Sequence, residues 1–343
     1  MRRLFQALAK RGHSAPVDEL ERSNKKGPDF ICIGMQKAAT RTLYDLLSFE
    51  EGFWMPLVKE FHHFDKGYIP RRHQEQYRYL QALESGGKPH RRQNARRAKY
   101  NKRPLDSIDL EFLNASKAYL AGGMTDALYL DLFSMCPKGH WVGDITPGYS
   151  NLDLEAAKGA HALLPNAKIV FIVRDPVARA WSNINMAITK RLQIDKANFD
   201  EAAAKRISDY IHNENFVDTY VNKDLRRGFP TRIYQIWIEA CGAENVLVYS
   251  FEDVTRRPKG SILALRRFLT GEATETMPKI EEDDEGGARK APNRKANAPR
   301  VEMTDVYREK LVEMFREELV VAQAVFGDKA AGWAEKYGIS TSG

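Results

Sequence analysis

At two places in this 343-residue chain a basic side chain sits where an apolar run gives way to a helical pattern. The first is Gly34-Met35-Gln36-Lys37-Ala38-Ala39-Thr40-Arg41-Thr42-Leu43. A helix N-terminus offers free backbone N–H groups and the positive end of its dipole, so a loop opening a helix here can hold a phosphate. Lys37 and Arg41 would add charge, and Thr40 and Thr42 hydroxyl donors. An ordinary strand-to-helix turn would read the same way. The loop is not a Walker A motif, because Lys37 comes three residues after a single Gly and no second Gly precedes it. The second place is Ile172-Val173-Arg174-Asp175-Pro176-Val177-Ala178-Arg179-Ala180-Trp181-Ser182. An Arg at a strand end can make charge-assisted, bidentate contact with a phosphate, and Ser182, two turns on, can donate to a remaining oxygen.

The elements that must position these residues follow from periodicity. Phe30-Ile31-Cys32-Ile33-Gly34 reads as a strand, and Thr40 to Phe49 as a helix with Leu43, Leu46 and Leu47 on one face. Lys168 to Val173 is a β-branched strand, followed by a helix from Ala178 to Thr189 with Pro176 at its start. A third strand is expected at Asn245 to Ser250, preceded by an amphipathic helix from Thr231 to Cys241 and followed, after Pro258, by a helix to Leu269. Thr304 to Phe326 reads as one long amphipathic helix. Strands alternating with helices predict an α/β fold with a mainly parallel central sheet flanked by helices. The expected organisation is a basic arm over 1–28, a single domain over 29–326 with a helical basic insertion around 71–135, and a tail over 327–343. Arg71 to Arg103 crowds Arg91, Arg92, Arg96, Arg97, Lys99, Lys102 and Arg103, either as a solvated helical face or as a grip on an anionic acceptor. The run Glu281 to Gly287 is too charged to pack.

Both strand-to-helix elements resemble those of sulfotransferases that use 3′-phosphoadenosine 5′-phosphosulfate (PAPS). Gly-x-x-Lys-x-x-Thr-x-x-Leu after the first strand is similar to that family's 5′-phosphosulfate loop. Arg-Asp-Pro with Ser eight residues after Arg is similar to its 3′-phosphate element. The form Lys37-Ala38-Ala39-Thr40-Arg41 is most similar to the heparan sulfate glucosaminyl 3-O-sulfotransferase and N-sulfotransferase-like branch, here in a bacterial-type cytosolic form. The resemblance implies a P-loop-like fold, PAPS as donor, the bisphosphate PAP as product and no metal. It assigns donor binding to Lys37, Ala38, Ala39, Thr40, Arg41, Thr42, Arg174 and Ser182, with Lys37 also stabilising the charge that grows on the bridging oxygen. It makes Glu60, in Val58-Lys59-Glu60-Phe61-His62-His63-Phe64-Asp65, the base that takes the acceptor proton, with His62 as its orienting partner. His63 departs from the family's Phe, leaving both histidines as further base candidates. Gly143-Asp144-Ile145-Thr146-Pro147-Gly148-Tyr149-Ser150 resembles a segment that lines the acceptor cleft, with Asp144 for Glu and Ile145 for Lys, a loss of charge that counts against a highly anionic acceptor; a packed loop with no contact to acceptor is the alternative reading. Arg294 and Lys295 correspond to a basic loop that closes over the PAPS phosphates. The expected reaction is sulfuryl transfer to a hydroxyl, or an amine, of a saccharide, lipid or small-molecule acceptor.

Composition narrows the alternatives. With 43% apolar residues the chain can bury a full core, and its longest apolar runs fall short of the ~20 residues that cross a bilayer. The N-terminus has two arginines but neither the apolar core nor the cleavage site of a secretory signal, so the expected location is the cytoplasm. Cys32, Cys136 and Cys241 read as buried thiols, and their spacing fits no zinc site. A nucleotide kinase shares the strand-loop-helix unit but needs the Walker A lysine that is absent. A non-catalytic binder of anionic glycans would suit the net charge of +7 but leaves Lys37, Glu60 and Arg174 unexplained. No nucleic-acid partner is expected.

Overall fold

The structure is a computed structural model and describes residues 22–65, 70–99, 104–105, 107–194, 199–211, 228–280 and 302–340. In chain order its elements are β1 (Phe30–Gly34), α1 (Thr40–Leu47), α2 (Pro70–Glu84), α3 (Lys88–Lys99), α4 (Ser107–Ala121), α5 (Asp126–Asp131), β2 (Gly143–Ile145), α6 (Leu154–Leu163), β3 (Lys168–Val173), α7 (Pro176–Arg191), α8 (Glu201–Ile211), α9 (Pro230–Cys241), β4 (Val246–Ser250), α10 (Phe251–Arg256), α11 (Pro258–Thr270), α12 (Asp305–Met314) and α13 (Arg316–Phe326). The chain falls into two compact units, one of Met1–Pro28, Phe49–Val58 and Ile69–Val142, the other of Asp29–Ser48, Lys59–Tyr68 and Gly143–Gly343. No helix among the described residues is long and apolar enough to cross a membrane.

The larger unit is the α/β fold anticipated from the strand and helix patterns. Its four strands run in the order β2-β1-β3-β4, and every pairing is parallel. The strands are apolar along nearly their whole length, as they must be when both faces of a sheet are covered. Phe30, Phe171, Val173 and Tyr249 are fully buried, and α6 packs against α9, which also meets α13. The strand at Gly143–Ile145 did not register in the periodicity because three residues carry no pattern. The long helix expected over 304–326 is two helices. The backbone leaves helical geometry at Phe315 (φ −104°), whose ring is buried edge-on to Phe229 with centroids 5.4 Å apart.

The described residues after Phe326, 327–340, are bonded into this unit. Lys329 is buried, and its ammonium donates to Asp253 Oδ2 at 2.8 Å and to the Pro278 carbonyl. Asp253 also closes the capping box of α10 with Ser250, and Arg257 reaches its Oδ1 at 3.2 Å. Lys329→Met should therefore destabilise the chain by about 2–3 kcal/mol in urea unfolding. That is less than orphaning a buried charge outright, because Arg257 remains. A change under about 0.5 kcal/mol, the range of an inert surface substitution, would show that the pair is not structural.

The smaller unit is helical. Leu80, Leu83, Phe112, Leu113, Tyr129 and Phe133 form its core, with Trp54 edge-on to Phe112 at 5.5 Å. In the basic α3, Arg97 makes a two-armed bond to the buried Asp109 at 2.6 and 3.0 Å, while Arg91 and Arg92 are exposed. Lys102 and Arg103 of the basic cluster, most of the basic arm, the 281–287 run and both Arg294 and Lys295 lie outside the described residues.

Candidate active site

Parallel strands deliver their following loops to one edge of a sheet. In the order β2-β1-β3-β4 the connection after β1 runs to β2 on one side and the connection after β3 runs to β4 on the other, so the gap beyond the ends of β1 and β3 is a topological switch point, where open α/β sheets bind ligands. Lys37 follows β1 and Arg174 follows β3. Arg174 Nη1 donates to the Lys37 carbonyl at 2.6 Å, joining two residues 137 apart in sequence across that gap. The face of Phe251, at the end of β4, supports the Arg174 guanidinium at 4.2 Å from the ring centroid.

The loop itself is shaped for close approach. Gly34 holds φ +143°, and a Cβ there would press on Ser150 Cβ at 3.1 Å and the Pro147 carbonyl at 3.3 Å. Lys37 and Ala39 both adopt left-handed φ, 70° and 71°, so the chain turns sharply into α1. Among the described residues no side chain caps the N-terminus of α1, and its first turn carries no acid. The contrast with α7 is informative. There Asp175 Oδ1 accepts from the N–H groups of Val177 and Ala178 at 2.9 and 3.1 Å, so that N-terminus is already served by a carboxylate. Asp175 Oδ2 takes Lys336 Nζ at 2.6 Å and the Tyr337 hydroxyl at 2.7 Å.

Lys37 Nζ rests 3.5 Å from Met186 Sδ on α7. Ser182 lies one turn before Met186 and so shares that face of α7. Burial first, and then the charge of Arg174, push the Lys37 ammonium below its ordinary value of 10.5. Two cations held together by the fold at an uncapped helix N-terminus fit an anion carrying more than one charge. Thr40 is buried and Thr42 half-buried on the first turn of α1. Arg41 is exposed and paired with the buried Asp45 at 3.2 Å, so part of its charge is already engaged.

The stretch around Glu60 forms a second cluster. Lys59 Nζ donates to Glu60 Oε1 at 2.6 Å, and Glu60 Oε2 lies 3.6 Å from His62 Nε2. The opposite ring nitrogen, Nδ1, lies 2.7 Å from Asp65 Oδ2. An ionised carboxylate can only accept, so Nδ1 carries a hydrogen and Nε2 is the nitrogen that faces Glu60. The imidazole is thus fixed between two carboxylates. Asp65 drew no assignment from the sequence; the His-x-x-Asp spacing was its only signal. His63 is turned inward, 1% exposed, and its backbone N–H donates to the Tyr149 hydroxyl at 3.0 Å.

Of the two readings of the 143–150 segment, the burial of its side chains fits the packed loop. Asp144, Thr146 and Tyr149 are fully buried, Ile145 is 2% exposed, and only Gly148 is partly open. Position 145 thus lies in the core, where its side chain has no bearing on acceptor charge. The 3-10 turn Pro147–Asn151 instead touches both clusters. Ser150 abuts Gly34 of the loop after β1, and Tyr149 holds the backbone beside His62.

The sequence model of the sulfotransferase family matches residues 28–275, a span containing Lys37, Glu60, Arg174 and Ser182. No curated protein matches the chain. Among solved structures, a sulfotransferase from Alicyclobacillus acidocaldarius is similar in fold, with a TM-score of 0.50 and 19% identity over 89% of this chain and 98% of that one. The sulfotransferase domain of the Synechococcus PCC 7002 olefin synthase aligns with a TM-score of 0.39 and 17% identity over 87% and 98%.

Proposed function

Because this chain belongs to the sulfotransferase family, we propose that it transfers a sulfuryl group from PAPS to a hydroxyl, or an amine, of a saccharide, lipid or small-molecule acceptor, with Glu60 as the base. The observation that carries the reading is the meeting of Lys37 and Arg174 at the β1/β3 switch point beside an uncapped helix N-terminus. PAPS supplies an activated sulfuryl group whose leaving group is a phosphate. Lys37, the N–H groups at the start of α1, Thr40, Thr42 and Arg41 bind and neutralise the 5′ end. Arg174 and Ser182 bind the 3′-phosphate, which separates this nucleotide from ATP. Arg294 and Lys295 are assigned to the same phosphates on the family resemblance.

Glu60 takes the proton from the acceptor as its oxygen or nitrogen bonds to sulfur. His62 Nε2, held toward Glu60 by Asp65, is the next station for that proton. As the bond from sulfur to the bridging oxygen breaks, the Lys37 ammonium donates to that oxygen. The Lys59-Glu60-x-His62 stretch also supports the finer resemblance to the heparan sulfate 3-O-sulfotransferase-like branch. The three cysteines are free and buried, which suits the reducing cytoplasm.

Calorimetric titration with PAP and with ATP–Mg²⁺ tests the donor site. Wild type is expected to bind PAP tightly and ATP weakly, and Arg174→Ala to lose about 10- to 100-fold in PAP affinity, the range of a charge-assisted bond. Preference for ATP, or unchanged PAP affinity in a folded Arg174→Ala variant, would refute the assignment.

A further inference from the structure

The loop carrying Glu60 has neither strand nor helix of its own, yet Glu60 and His62 both hold positive φ, 69° and 55°. Such backbone persists only where neighbours over-determine it. Those neighbours lie in Asp144 and the turn Pro147–Asn151. The Tyr149 hydroxyl accepts from the His63 N–H at 3.0 Å and donates to Asp144 Oδ2 at 2.8 Å. Thr146 donates to Asp144 Oδ1 at 2.6 Å, and the Phe64 ring meets the Tyr149 ring edge-on at 5.2 Å. At Gly148 the absence of a side chain lets Asp65 and His62 come close, since a Cβ there would collide with Asp65 Oδ2 and press on the imidazole at 3.0 Å.

The geometry points to Asp144 and Tyr149 as positioning residues of the transfer reaction, a buried pair that locks the 60–65 loop so that Glu60 and His62 keep their proton-accepting arrangement. This rests on the role proposed above for Glu60. The direction of the chain of bonds is fixed by chemistry. A carboxylate only accepts, so the single hydroxyl hydrogen of Tyr149 is committed to Asp144, and its lone pairs are left for the His63 N–H. Burial, and then the charge of Asp144, raise the Tyr149 pKa well above its ordinary value, so the donor persists at every pH of interest. The same turn presses on Gly34 through Ser150, so the base loop and the phosphate loop are registered to one piece of backbone.

Tyr149→Phe tests this in the full chain, because it keeps the ring and its contact with Phe64 and removes only the hydroxyl. In long-range ¹H–¹⁵N spectra of histidine-labelled protein, wild type should show a protected His62 Nδ1–H bonded to Asp65. The variant should bind PAP within about twofold of wild type, lose or broaden that resonance, and transfer sulfate from PAPS about 10- to 100-fold more slowly with unchanged KM for PAPS, the scale of a misplaced catalytic group. Gly148→Ala, which leaves Tyr149 and Asp144 in place and displaces Asp65, should give the same pattern and decides the matter if Tyr149→Phe does not fold. Retention of the His62 resonance and of wild-type turnover in the folded variants would overturn the positioning role. Failure of the functional reading looks different: wild type would not bind PAP, or Glu60→Gln would keep its full rate, whatever the His62 resonance did.

Discussion

Glu60→Gln is expected to lower the rate of sulfuryl transfer by about 10²- to 10⁴-fold, the contribution of a positioned general base, with PAP affinity within about twofold of wild type. The amide is nearly isosteric and can still meet Lys59, which now bonds Oε1 at 2.6 Å, but it cannot take a proton from the acceptor. The loss should therefore fall on kcat, with the nucleotide half of the site untouched. Single-turnover transfer of labelled sulfate from PAPS, to an acceptor returned by a screen of hydroxyl and amine compounds, is the measurement. A rate within about threefold of wild type would move the base elsewhere. His62, whose Nε2 lies 3.6 Å from Glu60 Oε2, would then be the next candidate.

Lys37→Met should reduce transfer by about 10²- to 10³-fold, the cost of removing one donor aimed at charge that develops in the transition state. Methionine keeps much of the apolar stem and its contact with Met186 while removing the cation. A second signature follows from the direction of the pKa shift. In the free protein the Lys37 ammonium is held below 10.5 by burial and by Arg174, so its charge is present at low pH and is lost as pH rises through that lowered value. PAP association should therefore weaken on the alkaline side before an ordinary lysine would titrate. Lys37→Arg should abolish that alkaline limb, because a guanidinium keeps its charge throughout. PAP affinity that stays flat up to the ordinary lysine range in wild type would remove Lys37 from the phosphate site.

Much of this arrangement is local and could be read from residue order. An apolar run closed by Gly34 and another closed by Arg174-Asp175-Pro176 announce two strand-to-helix turns, and β1, β3 and β4 formed where β-branched and aromatic residues cluster. The candidate anion-binding residues Lys37 and Arg174 were legible for the same reason, since helix starts and strand ends are set by neighbours along the chain. The three-residue strand at Gly143–Ile145 was not legible, because it exists through its pairing with β1 rather than through any pattern of its own.

Tertiary structure alone decided which loops meet. Arg174 and the Lys37 carbonyl are 137 residues apart and touch because β1 and β3 are adjacent, an outcome of sheet order that no local window contains. For Asp144 and Tyr149 the sequence left a cleft lining and a packed loop both open, because a polar side chain looks the same in a one-dimensional string whether water or a tyrosine hydroxyl satisfies it; the two are buried and bonded to each other. The break at Phe315 has the same origin: apolar periodicity continues through it, and only the packing of its ring against Phe229 ends one helix and starts the next. Residue types and spacing thus determined which chemical groups this protein carries, whereas the contacts between distant segments decided which of them face one another.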